Sequence, residues 1–233
     1  MNLPFKNKPV KRTLLILLLI ILLISITLFI FSIYSTGLNG NGVIDFKPSI
    51  YLLSDGFHSG VLIPNYNNLF SRIYSKAYWE YAFVHYTFAE KSWYLDMNRT
   101  FLDIFPTLFI ETEGVIERTF IPDSFSITEA KPYFNYAFDI DVWSFRTTEE
   151  NLVNTIMHIE ENEIASGDRF ESYVSRLGFI FDFFPTYQKY TLFYNCHHFN
   201  LDMLRLNELD SRGEWYVFLD FLLRAYLQKL LEE

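Results

Sequence analysis

The hydrophobic pattern of the chain opens with a run that has no period at all. Residues 13–34, TLLILLLIILLISITLFIFSIY, are 22 uncharged positions in succession, long enough to cross a bilayer as a helix. No small-residue cleavage pattern follows it, which points to an uncleaved signal anchor rather than a removed leader. STGLNGNG opens a linker over 35–47. From residue 48 the pattern moves between period 2 and period 3.6. SIYLLS (49–54) predicts a strand, DG (55–56) a turn, and HSGVLIP (58–64) the return strand of a hairpin stopped by Pro64. Apolar positions 69, 70, 73, 74 and 77 predict a helix over 67–80. YAFVHYTF (81–88) predicts a strand, with a shorter one at 93–95, and RTFLDIFPTLF a helix ended by Pro106.

Further strands are predicted over 114–122 and 136–145, the second alternating Phe138, Ile140, Val142 and Ser144 against Asp139 and Asp141. Thr147 and Glu150 fit a capping box at the start of a helix over 147–164. QKYTLFYN (188–195) reads as a strand, CHHFNLDMLRLNEL (196–209) as a helix, and EWYVFLDFLLRAYLQKLLEE as a closing apolar helix. Short strands and amphipathic helices in mixed order give an α+β class. The expected fold is an N-terminal transmembrane helix followed by one exported domain, 48–233, with a central, mostly antiparallel sheet and flanking helices.

Charge orients this arrangement. Lys6, Lys8, Lys11 and Arg12 precede the apolar run without an acidic residue among them. The expectation is that residues 1–12 stay in the cytoplasm, 13–34 engage the lipid bilayer as a single-pass anchor, and the domain faces the periplasmic or extracellular side. The rest of the chain has 15 basic and 28 acidic residues, a net charge of −13. Such a field repels nucleic acid, so none is expected as a partner.

The chain has one cysteine and five histidines. An exported domain with one cysteine cannot close an intramolecular disulfide, which makes the unpaired thiol worth attention. Cys196 follows a predicted strand and opens a predicted helix, with Asn195 suited to the N-cap. The helix dipole and free N–H groups lower a thiol pKa there and can hold an acyl-transfer oxyanion. The adjacent His197 and His198 are expected to point away from Cys196, since a helix turns about 100° per residue, and to line a pocket. His158 falls among EENE, a solvated stretch. His58 and His85, at a strand start and within a strand, are the rings that could be aimed at the helix N-terminus. For each of these the alternative is an ordinary structural histidine, and for Cys196 an inert buried thiol.

Three blocks, IYLLSDGFHSGVLIP (50–64), HYTFAEKSWYLD (85–96) and LFYNCHHFNLDMLRL (192–206), resemble signature blocks of an uncharacterised bacterial family, domain-of-unknown-function family 2459. Some of its members are encoded near urease genes. His58 and Cys196 fall on its two most chemically suggestive positions, in the G-x-H-[TS] turn and the T-C-N-T-W helix start. The family's G-W-G-D is TFAE here, so Glu90 replaces an aspartate, and N-T-W is His197, His198 and Phe199. The order histidine before cysteine is similar to circularly permuted papain-like, NlpC-like thiol hydrolases. That likeness implies a permuted papain-like arrangement with His85 orienting His58.

The expected function is a membrane-anchored cysteine hydrolase or acyltransferase. Cys196 would be nucleophile, His58 base and His85 the orienting group, with Asp55, Glu90, Asn195, His197 and His198 about the substrate. Cell-wall peptides or lipid-linked acyl groups would be substrates, and no cofactor is expected. The alternative is a non-catalytic envelope protein that binds or assembles on the same fold. A metal site has little support, for want of H-x-x-x-H, H-x-x-E-H or a second cysteine.

Overall fold

A computed structural model describes residues 47–55, 58–92, 110–122, 140–165, 167–175 and 178–209, with Ile16, Leu19, Leu23, Leu223 and Leu227. The chain divides into two compact units, Met1–Thr36 and Gly37–Glu233. The second holds a seven-stranded sheet: β1 Ser49–Ser54, β2 Ser59–Pro64, β3 Phe83–Glu90, β4 Thr112–Ile121, β5 Asp141–Arg146, β6 Glu171–Val174 and β7 Ile180–Tyr190. The strand order is β5-β1-β2-β3-β4-β7-β6, and every neighbouring pair is antiparallel. Three α-helices are described: α1 Phe70–Ile73, α2 Glu149–His158 and α3 Cys196–Leu206.

Period-2 alternation gives the sheet two buried faces. Ile50, Leu52, Val61, Ile63, Val84, Tyr86 and Phe88 turn to one face, where they pack with Leu152 and Ile156 of α2 and with Phe199, Leu201, Met203 and Leu204 of α3. Leu223 and Leu227, both helical, join this core. Tyr51, Leu53, Leu62, Phe83, Ala89 and Val115 turn to the opposite face. By the same alternation His85 and Thr87 of β3 and Glu117 and Thr119 of β4 also lie on that second face, all buried.

One part of the expected fold, the transmembrane helix, lies almost wholly outside the described residues, and another is corrected. Among the described residues no helix is long and apolar enough to cross a membrane. The longest, α3, has 11 residues and reaches about 16 Å, against about 30 Å of hydrocarbon. Of the apolar run only Ile16, Leu19 and Leu23 are described, each helical and exposed. The permuted papain-like arrangement with helices flanking the sheet gives way to one broad antiparallel sheet with α2 and α3 on the same face. Its extra breadth comes from β6 and from the first two-thirds of β7, segments without a strand expectation.

The helix expected over 67–80 is broken. Asn67 and Asn68 have left-handed φ values of 50° and 57°, which a right-handed helix cannot continue. The segment instead holds short 3-10 turns at Tyr66–Asn68 and Lys76–Tyr78 on either side of α1. Asn65 braces it, donating to the carbonyls of Trp79 and Tyr81 at 2.9 Å and accepting from Phe70 N–H at 2.8 Å. Helix α2 is capped by Thr148, whose hydroxyl accepts the Asn151 N–H at 3.1 Å, so the cap falls one residue after Thr147. It ends in a wider π-type turn, Ile159–Glu163. From that turn Glu160 takes both 2.8 Å bonds from Arg118 of β4, while Arg118 also binds Asp182 of β7 at 3.0 Å. The strand at 93–95, the helix at 99–109 and all of the 136–145 strand before Ile140 lie outside the described residues, as does most of 214–233.

Candidate active site

Strand β2 and helix α3 bring the two ends of the domain sequence together. Asn195, extended at φ −133° and ψ −169°, caps α3 by accepting the His197 N–H at 3.0 Å and also meets His198 Nδ1 at 3.1 Å. This fixes the backbone at Cys196, whose own N–H is among the first-turn groups with no intrahelical acceptor. The Cys196 side chain is 2% exposed and hydrogen-bonded to both His58 and His197. The expectation that His197 points away from the thiol is therefore corrected. Helical side chains tilt back toward the N-terminus, and in the first turn that tilt carries His197 toward Cys196. His198 does turn aside, stacking on Tyr194 with ring centroids 6.2 Å apart.

Electrostatics follow from this packing. Burial pushes the Cys196 thiol up, but the charge and hydrogen bond of His197, followed by those of His58, bring it well below its ordinary value of 9.0. Burial pulls the His58 imidazole down, yet the hydrogen bond and charge of Cys196, with Asp55 and Glu117 behind, leave it above 6.5. These opposite shifts mark a thiolate–imidazolium pair. Asp55 also shapes the turn before β2, its Oδ1 accepting the His58 N–H at 2.8 Å.

His85 lies on the same face of the sheet as Thr87. Fully buried beneath Gly60, it is held neutral, its pKa lowered to about 3 by burial and by the charge of His58. The His58 Nε2 contact is made by Thr87, at 2.7 Å. Thr87 in turn donates to the Ser59 carbonyl at 2.9 Å, and Ser59 Oγ accepts from Asn200 Nδ2 at 2.6 Å. Sequence reading passed over Thr87, although the period of β3 places it two residues after His85 and on the same face.

Glu90 closes β3, buried, with both carboxylate oxygens accepting from Ser92 Oγ at 2.6 and 2.8 Å. It lines a cavity of about 560 Å³ with Lys91, Ser92, Glu111, Glu113 and Lys189. Tyr190, next along β7, is kept protonated by burial and by the charges of Cys196 and Glu90. Among the described residues no group of three or more His, Cys, Asp or Glu side chains is placed to hold a metal ion. Chemically, a thiolate at a helix start with an imidazolium beside it is equipped to attack a carbonyl and protonate a leaving group. Comparison with protein-family models, curated proteins and solved structures finds no match to the chain. The resemblance to family 2459 therefore rests on the three sequence blocks.

Proposed function

We propose that the domain is a thiol hydrolase or acyltransferase with Cys196 as nucleophile and His58 as acid–base. The observation that carries this reading is the hydrogen-bonded Cys196–His58 pair at the start of α3, with the thiol lowered and the imidazole raised. The thiolate attacks an acyl carbonyl, forming a C–S bond and an oxyanion that the Cys196 N–H can hold. The intermediate collapses by breaking the C–N or C–O bond, and the leaving group takes the proton from the His58 imidazolium. Water or an acceptor then gives a proton back to His58 and attacks the thioester. The C–S bond breaks, and thiolate and imidazolium are restored. His197, also hydrogen-bonded to Cys196, stabilises the thiolate as well.

The uncharged run 13–34 and the basic residues before it support a location at the membrane with the domain exported. Cell-wall peptides and lipid-linked acyl groups are then the substrates within reach. The test is acylation of the full chain by p-nitrophenyl acetate, followed by intact mass. One acetyl group on Cys196, absent in Cys196→Ala and slowed at least about 100-fold in His58→Ala, supports the reading. No adduct on Cys196 in the parent overturns it.

A second reading, a non-catalytic binding protein of the envelope, is favoured by the 2% exposure of Cys196. It predicts a thiol that iodoacetamide fails to label in the folded protein at any pH between 6 and 9 (roughly the window around an ordinary thiol pKa).

A further inference from the structure

Resting on that reading of the Cys196–His58 pair, the structure assigns Thr87 as the positioning residue that fixes which ring nitrogen of His58 faces the thiol. A threonine hydroxyl has one proton. In Thr87 that proton is committed to the Ser59 carbonyl, 2.9 Å away. Toward His58 the oxygen can only accept, so the 2.7 Å contact requires a proton on Nε2. With Nε2–H held there, Nδ1 is the nitrogen that takes and returns the Cys196 proton. The tautomer of a catalytic imidazole is set in this way by the bond its other nitrogen makes.

The arrangement closes on itself through the helix that carries the nucleophile. Ser59 Oγ accepts from Asn200 Nδ2 at 2.6 Å, both residues buried. Asn200 sits four residues after Cys196, one turn along the same face of α3. The ring of contacts runs from Cys196 through α3 to Asn200, through Ser59 to Thr87, and through His58 back to Cys196. It crosses the sheet: Thr87 lies on the face of His85, whereas Asn200 lies with the helices, and the β2 backbone at Ser59 joins them. A shift of α3 along β2 would strain this ring at hydrogen bonds of 2.6–2.9 Å, so the ring holds the sulfur at one distance from His58.

The test uses ¹⁵N-histidine-labelled full chain. In Cys196→Ala the His58 ring loses the thiolate and is neutral at pH 8 (about 1.5 units above an ordinary histidine pKa). Its ¹⁵N shifts then report the tautomer, with His58→Gln assigning the signals. The expected result is protonated Nε2 with Thr87 present, a mixture in the Thr87→Val background, and return to protonated Nε2 with Thr87→Ser. In chains retaining Cys196, the midpoint of the iodoacetamide rate against pH should rise in Thr87→Val and return in Thr87→Ser. Protonated Nδ1 with Thr87 intact overturns the assignment without relying on the folding of any Thr87 variant. So does a Thr87→Val protein whose tautomer and midpoint both match the parent. If the parent itself shows no reactive thiolate below its ordinary pKa, the fault lies in the Cys196–His58 reading, and the tautomer result still decides Thr87.

Discussion

Replacing Gly60 by alanine would press on the site from a position that touches no substrate. Gly60 pairs with Thr87 across β2 and β3. A Cβ there would lie 2.4 Å from His85 Nε2, 2.9 Å from His85 Cε1 and 2.7 Å from the Tyr86 carbonyl oxygen. The ring could tilt aside, but the carbonyl belongs to β3 and can yield only if the strands separate. That carbonyl contact is about 0.7 Å short of ordinary van der Waals distance. Overpacking of this kind costs typically 1–3 kcal/mol, and the backbone contact puts Gly60→Ala near about 3 kcal/mol. A urea-unfolding cycle with His85→Ala separates the two contributions, because that background removes the ring and keeps the carbonyl. Alanine at 60 should then cost about 1 kcal/mol or more but less than in the parent. The reasoning fails if Gly60→Ala unfolds within about 0.5 kcal/mol of the parent, or if deleting the His85 ring leaves its cost unchanged.

Other expectations follow from the same packing. His85 is neutral in the fold down to about pH 3, whereas in the unfolded chain it takes a proton near 6.5. The unfolded state therefore binds more protons between these values, so stability falls as pH drops, by at most about 1.4 kcal/mol per pH unit. His85→Gln should flatten the curve of unfolding free energy against pH between 6.5 and 3, and a parallel curve would refute this. Arg118→Met should cost about 3 kcal/mol, the low end for a broken buried pair, read as a lower urea midpoint, because Glu160 loses its cation while the buried Asp182 keeps Arg169. Asn195→Ala should cost about 1 kcal/mol of stability through loss of the N-cap and slow thiol alkylation, while Asn195→Asp keeps the cap and raises the thiol pKa by its negative charge.

The sequence and the structure agree where the controlling contacts are local. The hairpin of β1 and β2 follows from SIYLLS, the DG turn and HSGVLIP, and the start of α3 at Cys196 follows from Asn195 as a cap. The first two-thirds of β7 was hidden because IFDFFPTY carries an aspartate and a proline within an apolar run. Asp182 is tolerated only because Arg118, Arg169 and Ser172 converge on it, and Pro185 sits where the β4–β7 register shifts near Glu113 and Val115. Those partners are distant in sequence, so no periodicity reports them. The same distinction runs through the site. Cys196 and His58 could be singled out from position and turn chemistry, whereas Thr87 gains its role from contacts made only after β2 and β3 pair.

The most direct test of the account is the ionisation of Cys196, followed by thiolate absorbance near 240 nm and by iodoacetamide rate across pH. A lowered thiol pKa stabilises the fold above the unfolded thiol value and is lost as pH falls through the folded one. The raised His58 contributes below 6.5 and is lost as pH rises through its own value. The pair should therefore persist between the two folded pKa values, with thiolate present well below 9.0 in the parent. His58→Ala and His197→Ala should each move the midpoint upward. The double variant, left with burial and the helix start, should titrate higher than either single variant. A parent thiol that titrates at its ordinary value, or a double variant that titrates with the parent, would contradict the account.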